Sequence, residues 1–339
     1  MNTPANKTEA DLRKRLNDMI RGYWTTQALY VAAELNIAGH LEDGPLSPEE
    51  LGQKTGARPD GLYRILRALA STGVFREEED GRFGLTPLAE TLGSSGGQAY
   101  SQLHGQELYR AWGHMLDTVR TGQPAFIQLH GATLFEYLKE HPDRGHVFDR
   151  AMTGHHGDET APMLEAYDFS SFGEVVDVGG GNGSLLVGAL GRLPKLRGVL
   201  FDLPEVVERA KADLRAAGME DRIRIAGGSF LEPDSIPKGA DAYVLRHVVH
   251  DWNDENTVTI LRHSRDAAAI RGRVLVVEMV IPGGNDPYFG KWLDLMMMAY
   301  GGKERTVKEY GQLYEKAGLE LTRVVDTGAG VSIVEGIPA

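Results

Sequence analysis

Apolar residues follow two different patterns along the chain, and the change falls near residue 172. Before that point they recur at spacings of three and four residues, which is typical of amphipathic helices. Beyond it, short β-branched runs alternate with helical stretches, from a first strand at 174–178 to a last one at 330–335. The pattern predicts a helical first half followed by an α/β domain, a doubly wound and mostly parallel sheet of seven strands.

The N-terminal region predicts a long helix, two shorter helices and a β-hairpin. The apolar stripe at residues 11–41 is wide enough to indicate a helix that is buried on more than one side. A capping box at Ser47–Glu50 opens the first short helix. Residues 74–85, which turn at Asp80, predict the hairpin. This order of elements is typical of a winged helix.

A winged helix is most often a DNA-binding module, but the charges here argue against that role. Three arginines lie on the candidate recognition helix, whereas the acidic run 77–80 on the wing would repel phosphates. The formal net charge of −12 also argues against non-specific binding of nucleic acid. We therefore expect this domain to pack against a second copy of itself, and the glycine and serine run at 93–97 to form a hinge after it.

The strand at 174–178 runs directly into a glycine-rich turn and then into a helix. Glycines in such a turn let the main chain approach a nucleotide-like cofactor closely. A dinucleotide fingerprint starting at Gly179 needs glycine at its sixth position, where this chain has Ser184. Asp177, two residues before Gly179 and four before Gly181, would repel a pyrophosphate but suits an ammonium and a sulfonium. The predicted cofactor is S-adenosylmethionine, with S-adenosylhomocysteine as its product.

A second acid, Asp202, ends the next predicted strand. It lies roughly the ~20 residues beyond the glycines at which an acid hydrogen-bonds ribose hydroxyls, although it could instead cap the helix that starts behind Pro204. A hydroxyl and an aromatic ring after the third strand could flank an adenine. The predicted cofactor-binding residues are Asp177, Gly179, Gly181, Asp202, Leu203, Ser229, Phe230, Arg246 and Trp252.

Methyl transfer to a phenol requires a base, because a phenol titrates near ~10 and is a poor nucleophile while protonated. His250 follows the fourth strand of the predicted sheet and has a suitable side chain. Glu278 follows the fifth strand, and Glu304 follows a methionine-rich helix. Either carboxylate could hold the far ring nitrogen of the histidine and stabilise the imidazolium. The predicted catalytic residues are therefore His250, Glu278 and Glu304.

Two other interpretations of these histidines stay open from the sequence. An isolated histidine is often a core residue, and His247 with His250 and Asp251, or His155 with His156, could suggest a metal. Adjacent histidines rarely share one ion and no further ligand is evident, so we expect no metal. The methionine run could be core, or it could mould to a flat aromatic substrate.

Composition narrows the class of protein further. The chain has 339 residues, which favours two domains, and no cysteine, which excludes disulfides, thiolate metal sites and a cysteine nucleophile. No apolar run approaches the ~20 residues that a membrane span needs, and the N-terminus lacks a secretory pattern. We expect a cytoplasmic protein without membrane or nucleic-acid partners.

Three motifs carry a resemblance to a known family: 177–183, His250–Trp252 and Gly301–Thr306. They resemble those of the plant caffeic acid and flavonoid type O-methyltransferases, and of bacterial relatives acting on aromatic polyketides and phenazines. The resemblance covers nearly the whole chain. It implies that His250 is the catalytic base, that Glu278 and Glu304 flank it, and that the glycine turn and Asp202 hold S-adenosylmethionine.

The order of elements and the resemblance together predict a domain organisation. We expect residues 1–98 to form a winged-helix dimerisation domain, 99–170 a helical connector that roofs the substrate pocket, and 171–339 the catalytic domain. The helices of the connector could equally be plain packing. An intertwined homodimer would close the partner's pocket around an aromatic small molecule. The predicted pocket residues are Trp112, Phe148, Met152, Met297 and Tyr300.

Several departures and rivals limit what the family pattern implies. Many members have Asp and Lys where this chain has Ser229 and Arg246, and the stretch 296–300 reaches Gly301 sooner than in plant members. Some bacterial relatives have turned to hydroxylation or decarboxylation while still binding the cofactor, and N-methylation is also open. More remote rivals are an NAD-dependent oxidoreductase and a winged-helix regulator that senses S-adenosylmethionine.

Overall fold

The computed structural model describes residues 8–156 and 159–339. These residues form two compact units. The smaller unit contains residues 8–110 and Asp143–Gly154, and the larger contains Ala111–Pro142 with the described part of His155–Ala339. Within the described residues, no helix is both long enough and apolar enough to cross a membrane.

The first half of the chain is mostly helical and contains an antiparallel hairpin, β1 with β2. Its elements are α1 Glu9–Ile20, α2 Gly22–Glu34, α3 Ile37–His40, α4 Pro48–Thr55, α5 Pro59–Ala70, β1 Phe75–Glu77, β2 Phe83–Leu85, α6 Pro87–Gly93, α7 Ser95–Gly105, α8 Glu107–Trp112, α9 Met115–Thr121, α10 Ala125–His130, α11 Leu134–Glu140, α12 Pro142–His156 and α13 Thr160–Ala166. The predicted capping box is present, since Ser47 accepts from the Glu50 amide and Glu50 accepts in return. The two short helices and the hairpin therefore occur where the sequence predicts them.

The prediction of one buried helix over residues 11–41 is wrong. Three helices cover that stretch, and Asn36, in a left-handed conformation with φ of 46°, separates the second from the third. The apolar side chains at the start of the stripe are more than half exposed in the single chain; they are Leu12, Leu16, Met19, Ile20, Tyr23 and Trp24. Only the later part of the stripe, from Ala28 onwards, packs on the core of the smaller unit.

The predicted hinge at 93–97 is also wrong, because these residues belong to helices. Gly93 ends α6, and Ser94 caps α7 by accepting a hydrogen bond from the Gly97 amide. A Cβ at Gly96 would lie 2.7 Å from the Cα of Gly154 on α12. The glycines therefore permit close packing of two helices of the smaller unit, and they do not form a flexible link.

The larger unit contains the sheet. Its elements are β3 Glu174–Val178, α14 Ser184–Arg192, β4 Arg197–Asp202, α15 Pro204–Ala216, β5 Ile223–Gly227, β6 Ala242–Arg246, α16 Asp254–Ala267, β7 Arg273–Glu278, α17 Gly290–Tyr300, α18 Val307–Ala317, β8 Leu319–Asp326 and β9 Ser332–Pro338. The strand order is β5-β4-β3-β6-β7-β9-β8, in which β9 pairs antiparallel with β7 and with β8 and the other pairs are parallel. This confirms the predicted seven-stranded, mostly parallel sheet.

Strand order decides where a ligand can bind. The order in which successive strands are added reverses at β3. The strands β4 and β5 lie on one side of β3, whereas β6, the next strand in sequence, lies on its other side. At such a switch point the loops beyond the carboxyl ends of the strands separate and leave a crevice. Buried apolar side chains cover both faces of the sheet. The crevice at the carboxyl ends is therefore the place to look for the functional groups.

Candidate active site

The turn after β3 requires glycine for its backbone conformation. Gly179 and Gly181 have φ of 72° and 58°, in the left-handed region that side chains with a Cβ rarely adopt. Gly179 donates its amide hydrogen to the carbonyl of Phe201, 2.8 Å away, which holds the turn against β4. A Cβ at Gly181 would meet open space among the described atoms. The turn thus leaves room beside the main chain at the head of α14.

Asp177 lies under this turn and is 2% exposed. Its Oδ2 atom is buried and has no hydrogen-bond partner among the described residues. Burial raises the pKa of Asp177 to about 7, the nearby Arg246 opposes that shift, and Asp202 adds to it. A buried carboxylate oxygen without a donor favours a cationic ligand over an anionic one.

Asp202 joins the end of β4 to the glycine turn. Its Oδ2 accepts from the Gly181 amide at 2.9 Å, and its Oδ1 accepts from the Leu203 amide at 2.7 Å. Leu203 is the N-cap residue of α15 and makes no side-chain cap hydrogen bond. The carboxylate of Asp202 therefore lies beside the turn, where a ribose could reach its remaining lone pairs.

Arg246 ends β6 and is held by two hydroxyl groups that the sequence did not single out in this role. One terminal nitrogen donates to Thr160 Oγ1 at 2.9 Å, and the other lies 3.3 Å from Ser184 Oγ. The guanidinium also opposes the rise in the pKa of the buried Asp177 carboxyl. The guanidinium of Arg246 and the carboxyl of Asp177 thus lie near each other at the start of α14.

Aromatic rings lie beyond β5 and β6. The Phe230 and Trp252 rings meet edge to face with centroids 5.6 Å apart. The Phe135 and Trp252 rings are nearly parallel, with an interplanar angle of 14° and centroids 6.4 Å apart. Ser229 precedes Phe230, and His263 Nδ1 lies 2.8 Å from the Phe230 carbonyl oxygen. These rings could flank a flat base, and Phe135 and His263 are members that the sequence did not identify.

His250 lies in a single 3-10 turn, Val249–Asp251, directly after β6. Its side chain is 9% exposed. Its Nδ1 lies 2.7 Å from Glu304 Oε1 and 3.2 Å from Glu278 Oε2. Its Nε2 lies 3.8 Å from Asp251 Oδ1. The structure therefore brings together the three predicted catalytic residues, although they are up to 54 positions apart.

The two glutamates hold the imidazole from different elements. Glu278 is the last residue of β7, and its Oε1 accepts from the amides of Val248 and His250 at 3.0 and 3.3 Å. The Glu304 amide donates to Asp294 Oδ1 at 2.9 Å, which fixes the loop before α18. Backbone, strand end and loop together determine the orientation of the ring.

Burial and charge act in opposite directions on this cluster. Burial by itself lowers the pKa of His250, but the carboxylates of Glu278, Glu304 and Asp251 outweigh it and raise that pKa well above its usual value. Burial raises the pKa of Asp251 to about 6. The pKa of Glu278 is lowered, because the effects of His250, His247 and the backbone amides exceed the effect of burial. Glu278 is thus ionised at neutral pH.

A second histidine belongs to the same cluster. His247 has φ of 53°, its Nε2 lies 2.8 Å from Glu159 Oε2, and its Nδ1 lies 3.6 Å from Glu278 Oε2. Its ring centroid is 5.4 Å from that of His250. The sequence noted His247 only as a metal candidate, and it had no signal for Glu159, which lies 88 positions away.

One ligand atom each from His247, His250 and Glu278 lie within 4.8 Å of one another, a spacing at which a metal ion could be held. However, His250 Nδ1 is only 2.7 Å from Glu304 Oε1, the separation of a hydrogen bond. Two ligands of a tetrahedral zinc ion, each ~2.0 Å from it, stand roughly 3.3 Å apart. Within the candidate set itself, Glu278 Oε2 lies 3.2 Å from His250 Nδ1 and 3.6 Å from His247 Nδ1, so the expectation that no metal binds stays a prediction. In the second metal candidate, the side chain of His156 lies outside the described residues.

The predicted pocket residues fall in both units. Met297 and Tyr300 are buried on α17, and the Tyr300 ring lies 5.4 Å from that of Phe126. Trp112, in the same unit, is 40% exposed. Phe148 and Met152 lie on the part of α12 that belongs to the smaller unit. That these residues form one pocket stays a prediction.

The mostly parallel seven-stranded sheet, with its glycine turn and strand-end acids, is that of the class I S-adenosylmethionine-dependent methyltransferases. The sequence profile of the O-methyltransferase domain matches residues 112–320, and that of the O-methyltransferase dimerisation domain matches residues 17–95. The chain belongs to this O-methyltransferase family, which confirms the resemblance noted from its motifs.

Several relatives are similar along almost their whole length. Phenazine O-methyltransferase PhzM of Lysobacter antibioticus is 44% identical over 327 residues, which cover 95% of each chain. The crystal structure of LaPhzM matches with a TM-score of 0.94 at 44% identity, covering 97% of this chain and 99% of that one. The O-methyltransferase NcsB1, solved with S-adenosylmethionine and 2-hydroxy-5-methyl naphthoic acid, matches with a TM-score of 0.81 at 34% identity, covering 93% and 96%.

Proposed function

We propose that this protein transfers the methyl group of S-adenosylmethionine to a hydroxyl of an aromatic small molecule, with His250 as general base. The observation that carries the proposal is the arrangement of His250, whose Nδ1 lies 2.7 Å from Glu304 and 3.2 Å from Glu278. A buried imidazole that is oriented by carboxylates at one nitrogen is suited to accept a proton at the other.

The residues at the head of α14 fit the proposed cofactor. Asp177 provides a buried carboxylate oxygen for a cationic group, and Arg246 provides a cation for a carboxylate. Asp202 is placed for ribose hydroxyls, and Leu203, Ser229, Phe230 and Trp252 are placed for the base. When bound, S-adenosylmethionine supplies a methyl group on a positively charged sulfur. Metal participation is not part of the proposal.

The chain's own residues account for the proton. A hydrogen on Nδ1 of His250 donates to Glu304 Oε1, which leaves the lone pair on Nε2 to accept the acceptor's hydroxyl proton. Glu278, held ionised by two backbone amides, stabilises the imidazolium that results. Fixing the hydroxyl oxygen behind the methyl carbon would supply much of the rate. Glu278 and Glu304 thus act through His250.

Calorimetry with the whole protein tests the cofactor assignment. We expect saturable binding of S-adenosylhomocysteine, and no binding of NAD or of duplex DNA, because Asp177 and the acidic run 77–80 repel phosphates. Saturable binding of NAD would overturn the assignment in favour of an oxidoreductase. Tight binding of duplex DNA would favour a winged-helix regulator.

Cofactor affinity is expected to depend on pH through Asp177. Burial raises the pKa of this carboxyl to about 7, and a cationic ligand binds its ionised form. Affinity for S-adenosylhomocysteine should therefore be highest above pH 7 and fall as the pH drops through 7 towards 6. Calorimetry at several pH values measures this. Asp177→Asn should bind more weakly and lose the dependence; an unchanged slope in that variant would exclude Asp177 as its source.

We propose that the protein is a homodimer built through the stripe of α1 and α2. Leu16 and Met19 on this stripe are 57% and 61% exposed in the single chain, and the dimerisation profile covers Met19. Contiguous exposed apolar surface of this kind marks an interface. The absence of nucleic-acid partners and a cytoplasmic location stay predictions.

Glutamate on the stripe should separate the dimer. Replacing both Leu16 and Met19 by Glu is expected to shift the sedimentation coefficient from that of a dimer to that of a monomer, because each buried charge opposes association. Leu88→Glu, at an equally exposed leucine on α6 outside the stripe, is the matched control and should leave the dimer intact. A stripe variant that sediments with the wild type would exclude this interface.

A further inference from the structure

His247 lies between two carboxylates and takes no part in the mechanism above. Its Nε2 lies 2.8 Å from Glu159 Oε2, and its Nδ1 lies 3.6 Å from Glu278 Oε2. The side chains of His247 and Glu159 are 4% and 9% exposed. Glu278 Oε2 is also the atom that lies 3.2 Å from Nδ1 of His250. The two imidazoles therefore share one carboxylate oxygen.

The backbone holds His247 in this place in an unfavourable conformation. Its φ of 53° is left-handed, a state that a residue with a Cβ adopts only at a cost in free energy. The His247 amide donates to the Val277 carbonyl at 3.1 Å, and the next amide, of Val248, donates to Glu278 Oε1. β7 thus fixes the bend through a carbonyl and through the same glutamate that holds His250. Strain of this kind is retained where the surroundings determine it, often at functional sites.

The charged groups around the rings of His247 and His250 favour a second positively charged imidazole. The groups that face the two rings are Glu159 from the segment before α13, His155 from α12, Glu278 from β7, Glu304 from the loop before α18, and Asp251 from the same turn as His250. One imidazolium cannot balance so many buried carboxylates. Burial lowers the pKa of His247, but hydrogen bonds to Glu159 and Glu278 outweigh it and raise that pKa. The carboxylates of Glu159 and Glu278 therefore favour the positively charged form of His247.

Carboxylates around a general base keep it protonated, and a positive charge on His247 would oppose that effect at His250. Glu278, Glu304 and Asp251 stabilise protonated His250, and a base that is already protonated cannot accept a proton. A cation beside Glu278 weakens the pull of that carboxylate on the proton of His250. This effect on the proton affinity of His250 is substantial, because the rings of His247 and His250 are only 5.4 Å apart in a buried cluster.

We propose that His247 is a positioning residue: with Glu159 it forms a second imidazole and carboxylate pair, whose positive charge acts on Glu278 and lowers the proton affinity of His250. This inference rests on the proposed role of His250 as general base. Glu159 favours the protonated form of His247, and Glu278, whose Oε1 accepts from the amides of Val248 and His250, transmits the effect to His250.

Proton NMR of the whole protein with 13Cε1-labelled histidine tests the inference without an acceptor. The histidine signals are followed from pH 5 to pH 10, and His250→Ala assigns the signal of His250. In His247→Asn we expect His250 to titrate about one pH unit higher than in the wild type, since loss of the cation leaves the carboxylates unopposed. Asparagine is chosen because it tolerates the left-handed conformation.

A second variant and a matched control make the result decisive. Glu159→Gln leaves His247 without its carboxylate, so His247 becomes neutral at lower pH and His250 should shift in the same direction. His141→Asn removes an exposed histidine, whose Nδ1 lies 2.8 Å from the Tyr137 carbonyl oxygen, and should leave His250 unchanged. A His250 signal that titrates alike in the wild type and in both cluster variants would overturn the inference.

The two proposals can fail separately. If His250→Ala retains full turnover while His247→Asn still shifts the His250 signal, the proposed function fails and the coupling between the histidines stands. If His250→Ala loses turnover while the signal does not move in either cluster variant, His250 is the base and His247 has only a structural role.

Discussion

Replacing His250 by alanine is expected to lower turnover by ~10²–10⁴, the usual contribution of a general base. The imidazole is the group that would take the acceptor's proton. Among the described residues, no other imidazole lies as close to Glu278 or Glu304. The dissociation constant of S-adenosylhomocysteine should hardly change, because other side chains make the proposed cofactor contacts, at the ends of β3, β4, β5 and β6 and at Trp252. Steady-state assays and calorimetry on the same preparation measure both quantities.

The matched control is His141→Ala, at an exposed histidine on the C-cap of α11. It should retain both turnover and affinity. A His250→Ala enzyme whose turnover falls by less than ~10-fold would indicate that the residue is packing and that positioning alone drives the reaction.

Replacing Gly302 by alanine should have the second largest effect. A Cβ at this position would lie 2.0 Å from the His250 carbonyl oxygen and 2.9 Å from the Cα of Asp251. Both are backbone atoms, so the turn that carries His250 must shift. A misplacement of ~1 Å at a catalytic group can lower turnover by ~10²-fold. We expect a loss of that size, together with a loss of unfolding free energy of ~1–3 kcal/mol from overpacking.

Gly191→Ala is the control for this substitution. Gly191 lies on α14, and apart from its chain neighbours and the nearby backbone of its own helix, a Cβ there would meet nothing within 4 Å. Turnover and thermal unfolding of the two variants can be compared directly. Gly302→Ala with wild-type turnover would mean that the His250 segment tolerates movement, which the close packing of the two backbones does not allow.

The sheet could be predicted from sequence because its strands are buried on both faces. The run Val274–Val277 in β7 is apolar throughout, and Val175–Val178 in β3 is buried throughout and apolar except for Asp177. Each predicted strand of the sheet therefore agrees with the observed one to within three residues. The positions of Asp177, Asp202 and Glu278 followed, because each ends or nearly ends a parallel strand.

The first half was harder to predict because its apolar pattern does not distinguish a core from an interface. Leu16 and Trp24 repeat at helical spacing like the core residues that follow them, yet both are exposed in the single chain. The glycines at 93–97 misled for a related reason. Composition indicated flexibility, whereas Gly96 is required for contact with Gly154.

Within the candidate site, the sequence identified residues that end strands and missed those that reach the site from elsewhere. Glu159 and Thr160 precede or begin α13, far from His247 and Arg246 in sequence, and no local pattern joins them. His247 lies in a left-handed bend that a propensity argument would not assign to histidine in this position. Such partners become visible only once the chain is folded.

Detection of the methylated product shows directly whether this protein is an aromatic O-methyltransferase. The whole protein would be incubated with S-adenosylmethionine carrying a 13C methyl group and a panel of phenolic metabolites, and the products analysed by NMR and mass spectrometry. We expect a 13C methyl ether on an aromatic oxygen, formed one to one with S-adenosylhomocysteine and lost in His250→Ala. A methyl group on nitrogen, or a hydroxylated or decarboxylated product with the cofactor intact, would contradict the proposed function.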